Sequence, residues 1–212
     1  GLQAAADDFV RHCQSFCDTL KIPLYVAHVN AKHAVGESPE DAARGARYAA
    51  LIELAKSHGV VASVGKVLLA QHADDQVETL LLALSRGAGL GGLSVMPAKF
   101  ERGGVQFERP MLNRSAAEIR ASLKRDGISF IEDPTNADKA FTRNKIRLDV
   151  LPVLQAAFPQ YSETFIRSIT HIAQANDLLS ELAGIDLALV GIPPGIKKLQ
   201  GLKVNRQVNS IR

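Results

Sequence analysis

The fold is indicated by the residues from Val60 to Leu84, VVASVGKVLLAQHADDQVETLLLAL, in which two patterns follow one another. The mostly apolar run Val60–Leu69 is typical of a buried strand or strand pair. The turn that follows it opens a helix at Asp74 and Asp75, because acidic side chains are favoured in the first turn of a helix. A strand followed by a helix is the repeating unit of a parallel α/β sheet.

The preceding residues repeat this alternation. Ile22–Val29 is a short apolar run rich in β-forming residues, which predicts a strand buried on both faces. Ser38 as N-cap and Pro39 at the first helical position predict a helix that ends near Gly59. The sequence therefore predicts the α/β class, with ligands bound beyond the carboxyl ends of parallel strands.

Downstream, the pattern changes from mixed to helical. Val105–Leu112 predicts a third strand, and Ser115 with Glu118 three residues later predicts a capping box at the start of a helix. From Asn136 onward the apolar spacing is helical, as far as the linker-like stretch Gly191–Gly195.

Composition excludes several classes of protein. With 46% hydrophobic and 22% charged residues in 212, the chain is globular rather than disordered. Two Cys, and no apolar run or leader typical of a membrane span or signal peptide, predict a cytoplasmic protein that does not enter a membrane. Trp is absent and 5% of residues are aromatic, which argues against stacked aromatic platforms for single strands.

The charge is unevenly distributed along the chain. Residues 1–105 carry 10 Lys and Arg against 11 Asp and Glu, whereas residues 106–212 carry 15 against 11. We therefore expect contacts with a polyanion in the second half, made through phosphates.

The densest polar cluster is His72, Asp74, Asp75 and Glu78, with Thr79 beside it. Converged carboxylates of this kind can hold a cation or an amine, although capping of the helix alone is an alternative. A metallohydrolase is a second alternative, but it requires a His-Glu-x-x-His box or a Cys/His set, and the sequence contains neither.

A second candidate site is basic. The turn Asp133–Asp138 leads into a helix whose first turns carry Arg143, Lys145 and Arg147. Cations at a helix start oppose the helix dipole, so a phosphate-rich ligand would explain them better than stability does. A solvated charged face is the alternative for these residues and for the other cations of the predicted surface, namely Arg109, Arg114, Lys124, Arg125 and Lys139.

Three ordered segments carry a resemblance to a known family. Glu40–Tyr48, Ala70–Gly92 and Arg109–Leu151 resemble the tRNA(Ile)-lysidine synthetase family of the PP-loop, or N-type ATP pyrophosphatase, superfamily. The H-x-D-D-x-x-E-T segment is shared with tRNA thiolation enzymes, and the later R-N-x-I-R segment points to lysidine synthesis.

The resemblance implies an architecture. It is a Rossmann-like parallel sheet of the adenine nucleotide alpha hydrolase kind in residues 1–135, followed by a helical extension in 136–190. Residues 191–212 are then expected to be a linker and the start of a further tRNA-binding domain.

The family's reaction has two steps. ATP, with Mg²⁺, adenylates the C2 oxygen of the wobble cytidine of an isoleucine tRNA with a CAU anticodon, and free L-lysine then displaces AMP. Asp75 and Glu78 would hold the lysine, His72 would line the nucleotide pocket, and Arg44 or Arg47 together with Arg86 would neutralise phosphate charge. The implied contacts with tRNA or adenylate are Arg109, Arg114, Arg143, Asn144, Lys145 and Arg147. The resemblance identifies no metal ligands, and it leaves the oligomeric state open, a homodimer included.

One departure from the family is large. The loop S-G-G-x-D-S, which cradles pyrophosphate and supplies a magnesium-binding Asp, is absent from the sequence, and in the family it precedes the matching segments. We therefore expect a fragment that does not catalyse and binds ATP weakly or not at all; tight magnesium-dependent binding in an ATP titration would contradict this. The alternatives are a tRNA 2-thiolation enzyme and a non-catalytic tRNA-binding module.

Overall fold

The computed structural model describes residues 2–30, 32, 36, 39–59 and 65–211, and in it the chain divides into two compact units. The first unit comprises Gly1–Ala73 and Pro97–Asn144, and the second comprises Asp74–Met96 and Lys145–Arg212. Each unit has a hydrophobic core of its own. No helix in the described part of the chain has both the length and the apolar character needed to span a membrane.

The first unit contains a sheet, which has three strands among the described residues, and several helices. Its elements are α1 (Leu2–Leu20), α2 (Pro39–Ser57), β1 (Lys66–Leu68), β2 (Lys99–Arg102), β3 (Val105–Glu108), α5 (Ala116–Arg125), a 3₁₀ turn (Pro134–Ala137) and α6 (Thr142–Lys145), of which Lys145 belongs to the second unit. Helix α2 begins at the predicted Pro39; the predicted cap Ser38 lies outside the described residues.

The sheet has the order β1–β3–β2 and is mixed. Strand β1 pairs in parallel with β3, with Val67 opposite Phe107, which agrees with the predicted α/β class. Strand β2 pairs with β3 in the antiparallel direction and was not predicted. Gly103 and Gly104 join the two with φ values of +60° and +77°, the left-handed conformation that a tight hairpin turn of this kind requires.

Helix α2 packs against this sheet. The alternation of β3 buries Val105 and Phe107, while the residues between them face outward. Tyr48 of α2 meets the Phe107 ring edge-on at 5.4 Å, and the Phe100 ring stacks on Phe107 at 5.1 Å. These aromatic contacts fix the helix across the paired strands.

Two strand predictions need correction. Residues 22–30 form no strand, and Ile22, Tyr25 and Val29 are each about half exposed. Apolar composition favours an extended chain, but a strand also requires a partner, which local sequence cannot supply. The strand predicted over Val60–Leu69 is limited to Lys66–Leu68, and residues 60–64 of that prediction lie outside the described residues.

The second unit is helical. Its elements are α3 (Ala73–Ser85, with Ala73 in the first unit), α4 (Leu90–Leu93), a π-helical turn (Ile146–Val150), α7 (Leu151–Ala157), α8 (Tyr161–Val190), α9 (Ile196–Gln200) and α10 (Val204–Ile211). Its core consists of Val77, Ile146, Leu151 and Tyr161. The predicted domain boundaries after residues 135 and 190 stay a prediction, since the two units divide the chain elsewhere.

An ion pair between a buried aspartate and a partly exposed arginine joins α10 to α8. Asp186 of α8 is fully buried, and Arg206 of α10 donates from Nε to its Oδ2 at 3.0 Å and from Nη2 to its Oδ1. Asn209 also donates its amide to the carbonyl of Leu179 at 2.7 Å. These hydrogen bonds connect α10 to α8. Removing Arg206 would leave the buried charge of Asp186 uncompensated.

Candidate functional site

Three carboxylates occupy the first turns of α3, and we call Asp74, Asp75 and Glu78 the acid cluster. Asp74 and Asp75 lie in the first turn, where the exposed N–H groups and the helix dipole favour negative charge. Glu78 lies one turn further on and is completely buried. Because a buried carboxylate is costly without a partner, Glu78 requires a cation close by.

That cation is Arg147. Its Nε donates to Oε1 of Glu78 at 2.7 Å and its Nη2 donates to Oε2 at 3.0 Å, so both carboxylate oxygens are engaged. Asp75 Oδ1 lies 3.9 Å from the same guanidinium. Two parallel bonds to one carboxylate fix the plane of the guanidinium as well as its position. The structure thus brings together residues from the acidic and the basic motifs of the sequence.

The backbone around Arg147 is not α-helical. Ile146–Val150 forms a π-helical turn, in which the N–H of Leu151 reaches back to the carbonyl of Ile146. Pro152 follows in the first turn of α7; it has no N–H to donate to the carbonyl of Leu148, and its ring crowds that carbonyl. We attribute the wider turn to this proline. Such turns occur often at functional sites.

Charges in the acid cluster shift the pKa of two neighbours. Burial alone would lower the pKa of Arg147, but the hydrogen bond and charge of Glu78, with Asp75 and Asp74, raise it above its usual value. Burial, and then the charges of Asp74 and Glu78, raise the pKa of the Tyr161 hydroxyl. Tyr161 was missed in the sequence because nothing local separates it from other aromatic residues at helix starts.

The acid cluster and Arg147 together comprise three carboxylates and one guanidinium. Asp75 and Arg147 are both partly accessible, with side chains 17% and 33% exposed. This combination can attract an ammonium group through Asp75 and a phosphate through Arg147. Among the described residues, no group of three or more His, Cys, Asp or Glu side chains is arranged to hold a metal ion. Binding of Mg²⁺ stays a prediction, and no step below is assigned to it.

Arg109 does not belong to the exposed basic surface predicted from the sequence. It is 7% exposed, and its guanidinium donates to Gln71 Oε1 at 3.1 Å, to the Pro97 carbonyl at 2.7 Å and to the Tyr48 hydroxyl at 2.9 Å. It also lies over the Phe100 ring, 4.3 Å from the ring centre. Burial among these groups disfavours the predicted contact of Arg109 with tRNA.

Asn144 is also buried, at 8% exposure. Its amide donates to the carbonyls of Thr135 and Asp138, both at 2.8 Å, so it closes the turn that precedes α6. Both amide hydrogens are thereby used within the protein, which disfavours the predicted contact with tRNA. Arg143, next to it, lies 3.7 Å from Glu40 at the start of α2.

The remaining predicted residues are more accessible. His72 is half-buried immediately before α3, and Arg114 is exposed next to the cap of α5. Arg44 is exposed on α2 and pairs with Asp41. The other three, Arg47, Arg86 and Lys145, are exposed.

Comparison with known proteins gives this arrangement a context. The model of the PP-loop domain, a family of ATP-binding domains, matches residues 1–154. The chain belongs to the PP-loop domain family. That membership agrees with the α/β class and with the parallel pairing of β1 and β3. The matched segment includes the acid cluster and Arg147.

Longer curated proteins resemble the chain over most or all of its residues. The tRNA(Ile)-lysidine synthase of Polaromonas naphthalenivorans is 58% identical over 212 residues, which are 100% of this chain and 63% of that protein. The enzyme of the same name from Pseudomonas fluorescens is 44% identical over 193 residues, 91% of this chain and 42% of that protein. A third enzyme of that name, from Pseudomonas aeruginosa, is 47% identical over 188 residues, which are 88% of this chain and 40% of that protein. The chain thus spans about two fifths to three fifths of these relatives.

Proposed function

We propose that this chain is the part of a tRNA(Ile)-lysidine synthase that contains the lysine-facing acids. The observation that carries the proposal is the identity of 58%, over all 212 residues, with a protein of that name. The bidentate contact between Glu78 and Arg147 supports it, because it joins the two motifs on which the resemblance rests.

The proposed reaction has two balanced steps. The C2 oxygen of the wobble cytidine attacks the α-phosphorus of ATP, a new P–O bond forms, and pyrophosphate leaves. The ε-amine of lysine then attacks C2 and forms a C–N bond, while the C2–O bond breaks and AMP leaves with that oxygen. Adenylation converts a poor leaving oxygen into a good one, and the amine gives up a proton as it attacks.

In this reaction Asp75 would bind the substrate amine. Lysine is mostly an ammonium ion at neutral pH, so a partly exposed carboxylate attracts it and can accept the proton that is released. Glu78 is fully buried and both of its oxygens are engaged by Arg147, so we assign it a positioning role rather than direct contact with lysine. This assignment refines the sequence-based expectation, in which both acids hold the lysine.

Arg147 would face the phosphate of the adenylate. With Nε and Nη2 directed at Glu78, its side chain is still 33% exposed, and its charge would offset the negative charge that develops on the departing AMP. Nucleotide binding by His72, Arg44, Arg47 and Arg86 stays a prediction. For tRNA we retain the exposed cations Arg114 and Lys145, together with Arg143.

The proposal is tested by substituting Asp75 in the protein expressed from its complete reading frame. Radiolabelled lysine is supplied with ATP and an isoleucine tRNA transcript carrying a CAU anticodon, and incorporation is measured. We expect D75N to lower kcat/KM for lysine by about a hundredfold, a typical loss when a proton acceptor is removed. The affinity for tRNA should be unchanged. D18N, which alters an exposed acid on α1, is the matched control.

Three outcomes would contradict the proposal. The first is failure of the wild-type protein to form lysidine. The second is a product that contains 2-thiocytidine, identified by mass spectrometry of the digested tRNA, which would support a thiolation enzyme. The third is unchanged lysine transfer by D75N, which would leave the acid cluster as a helix cap.

A further inference from the structure

A shallow groove lies in the first unit beside helix α5. We call it the α5 groove; it has a volume of about 570 Å³, and the residues that matter here are Arg120, Lys124, Ile128 and Phe130. That volume is within the range of small-ligand sites, roughly 300 to 1,000 Å³. None of these residues belongs to the acid cluster; Lys124 is one of the cations of the basic surface predicted from the sequence, whereas Arg120, Ile128 and Phe130 are not.

The end of α5 builds one wall of the groove. Gly127 adopts φ +66°, its N–H reaches the carbonyl of Lys124 at 3.3 Å, and the N–H of Ile128 reaches that of Leu123 at 2.9 Å. This pair of bonds is the Schellman arrangement, which reverses the chain at a helix end. The segment that contains Phe130 therefore runs beside the last turns of the helix.

The cations of α5 fall into two groups. Arg125 pairs with Asp126 at 3.1 Å, and Arg114, just before the helix, lies 3.5 Å from Glu118. Arg120 and Lys124 line the groove one helical turn apart, and in the part of the chain that the structure describes neither has a carboxylate within ion-pair distance. The residues that line the groove include no acid. The groove thus presents two positive charges to an anion.

An aromatic ring completes the groove. Phe130 is 44% exposed, within the range of other exposed phenylalanines such as Phe16 and Phe141. What distinguishes it is that it lines the groove together with Arg120 and Lys124, neither of which has a carboxylate partner among the described residues. This combination of an aromatic ring and two cations is complementary to an unpaired nucleotide, which has a flat base and a phosphate.

We propose that the α5 groove binds an unpaired nucleotide of the tRNA, with its phosphate on Arg120 and Lys124 and its base against Phe130. The inference rests on the proposed function for the identity of the RNA, but not for the chemistry of the groove. An acidic peptide would use the two cations without a flat group for the ring. RNA supplies both features in one nucleotide, and this complementarity favours it.

Affinity for RNA and its salt dependence test the groove. The probe is a fluorescein-labelled isoleucine tRNA transcript, titrated with the full protein at several salt concentrations. Removing the two cations that neutralise one single-stranded phosphate, in the variant R120Q/K124Q, should reduce the slope of log affinity against log salt by about 0.7. F130A should weaken binding roughly five- to hundredfold with the slope unchanged, because stacking does not release counterions.

The matched control is R11Q, which removes an exposed cation that is paired with Asp8 on α1 and does not line the groove. We expect it to leave the slope unchanged. A decrease of the slope for R11Q would overturn the inference, since it would indicate a diffuse charged face. A blunt-ended RNA duplex should bind the wild-type protein and F130A equally; an equal loss on both RNAs would exclude base stacking.

The two proposals fail in different ways. If the wild-type protein makes lysidine and the groove variants bind tRNA normally, the groove inference is wrong and the proposed function stands. If no lysidine forms but the variants still lose affinity for tRNA as described, the groove stands and the function does not. Binding of the wild-type protein to phosphatidylserine vesicles or poly-glutamate, with no binding to RNA, would assign the groove to another anion and overturn the inference.

Discussion

The Arg109 guanidinium is buried in the interior of the first unit, where its hydrogen-bond partners among the described residues are all neutral groups. The Tyr48 hydroxyl, the Gln71 amide oxygen and the Pro97 carbonyl accept its N–H groups, and the Phe100 ring lies under its guanidinium. A planar group with donors in fixed directions is needed to reach all of these partners at once. Arg109 therefore acts as a cross-link between α2, β2 and the chain before β2.

Substituting Arg109 with lysine should destabilise the protein. A lysine ammonium cannot reproduce three bonds in these directions, so polar groups lose partners in the interior, and we expect R109K to lower the free energy of unfolding by about 2 kcal/mol. Urea denaturation followed by circular dichroism measures this change. R102K is the control, because Arg102 is exposed and lies over the Tyr48 ring, 4.7 Å from its centre. Equal stability of R109K and the wild-type protein would contradict the cross-link.

At the scale of single elements, helix α5 shows how a local motif determines a helix start. The Ser115 side chain accepts from the N–H of Glu118 at 3.2 Å, and the Glu118 carboxylate accepts from the N–H of Ser115 at 2.7 Å and from its hydroxyl at 2.9 Å. These hydrogen bonds, first from the Ser115 backbone and then from its hydroxyl, hold the pKa of Glu118 below its usual 4.5. The stability that the capping box gives to the start of α5 therefore depends on pH.

We expect the contribution of Glu118 to stability to be lost in acid. Because the pKa of Glu118 is lower in the folded chain than in the unfolded chain, its stabilising effect is complete above pH 4.5 and is lost as the pH falls below that value. The difference in urea midpoint between the wild-type protein and E118Q should therefore shrink between pH 7 and pH 3. In the S115A background this pH-dependent effect should be smaller but not absent, because S115A removes the hydroxyl bond and leaves the backbone N–H bond to Glu118 in place. A difference that is constant with pH would contradict the role of the hydrogen bonds.

Prediction from sequence succeeded where the interaction is local. Ser115 and Glu118 are three residues apart, so their capping box could be recognised without the fold. The contact of Glu78 with Arg147 spans 69 positions, and only the folded chain shows that these two motifs meet. Ile22–Val29 has the composition of a strand but lacks a partner strand among the described residues. The hairpin at Gly103 and Gly104 was missed, although paired glycines between β-forming residues are a recognised turn pattern.

At the scale of the whole molecule, counting charges overstates the basic surface. The second half of the chain has 15 cations and 11 acids. However, Arg206 is committed to Asp186, Arg147 to Glu78, and Arg109 lies in a core. The positive charge that is free of carboxylate partners is therefore concentrated in fewer side chains, and among the described residues Arg120 and Lys124 are two of them. This is why the salt dependence of selected variants is more informative than net charge.

The first unit is built from two segments of the chain that are separated in sequence by part of the second unit, so its folding requires both segments. The sheet order β1–β3–β2 means that β1 has its partner only when residues beyond Pro97 are present. The N–H of Leu69, for example, donates to the carbonyl of Glu108 at 2.8 Å. The core around Tyr48 likewise depends on Phe107. A fragment that ends before β2 therefore contains only part of the first unit's core.

We expect a fragment of residues 1–96 to remain unfolded, while residues 1–144 form the sheet. Without Val105 and Phe107 the shorter fragment loses roughly 1.5 to 3 kcal/mol of apolar burial for each side chain, and Tyr48 loses the aromatic rings that it packs against. Hydrogen exchange at the amide of Leu69 and near-ultraviolet circular dichroism would report the difference. Slow exchange at Leu69 in the shorter fragment would contradict the prediction, because it would mean that β1 finds a partner other than β3.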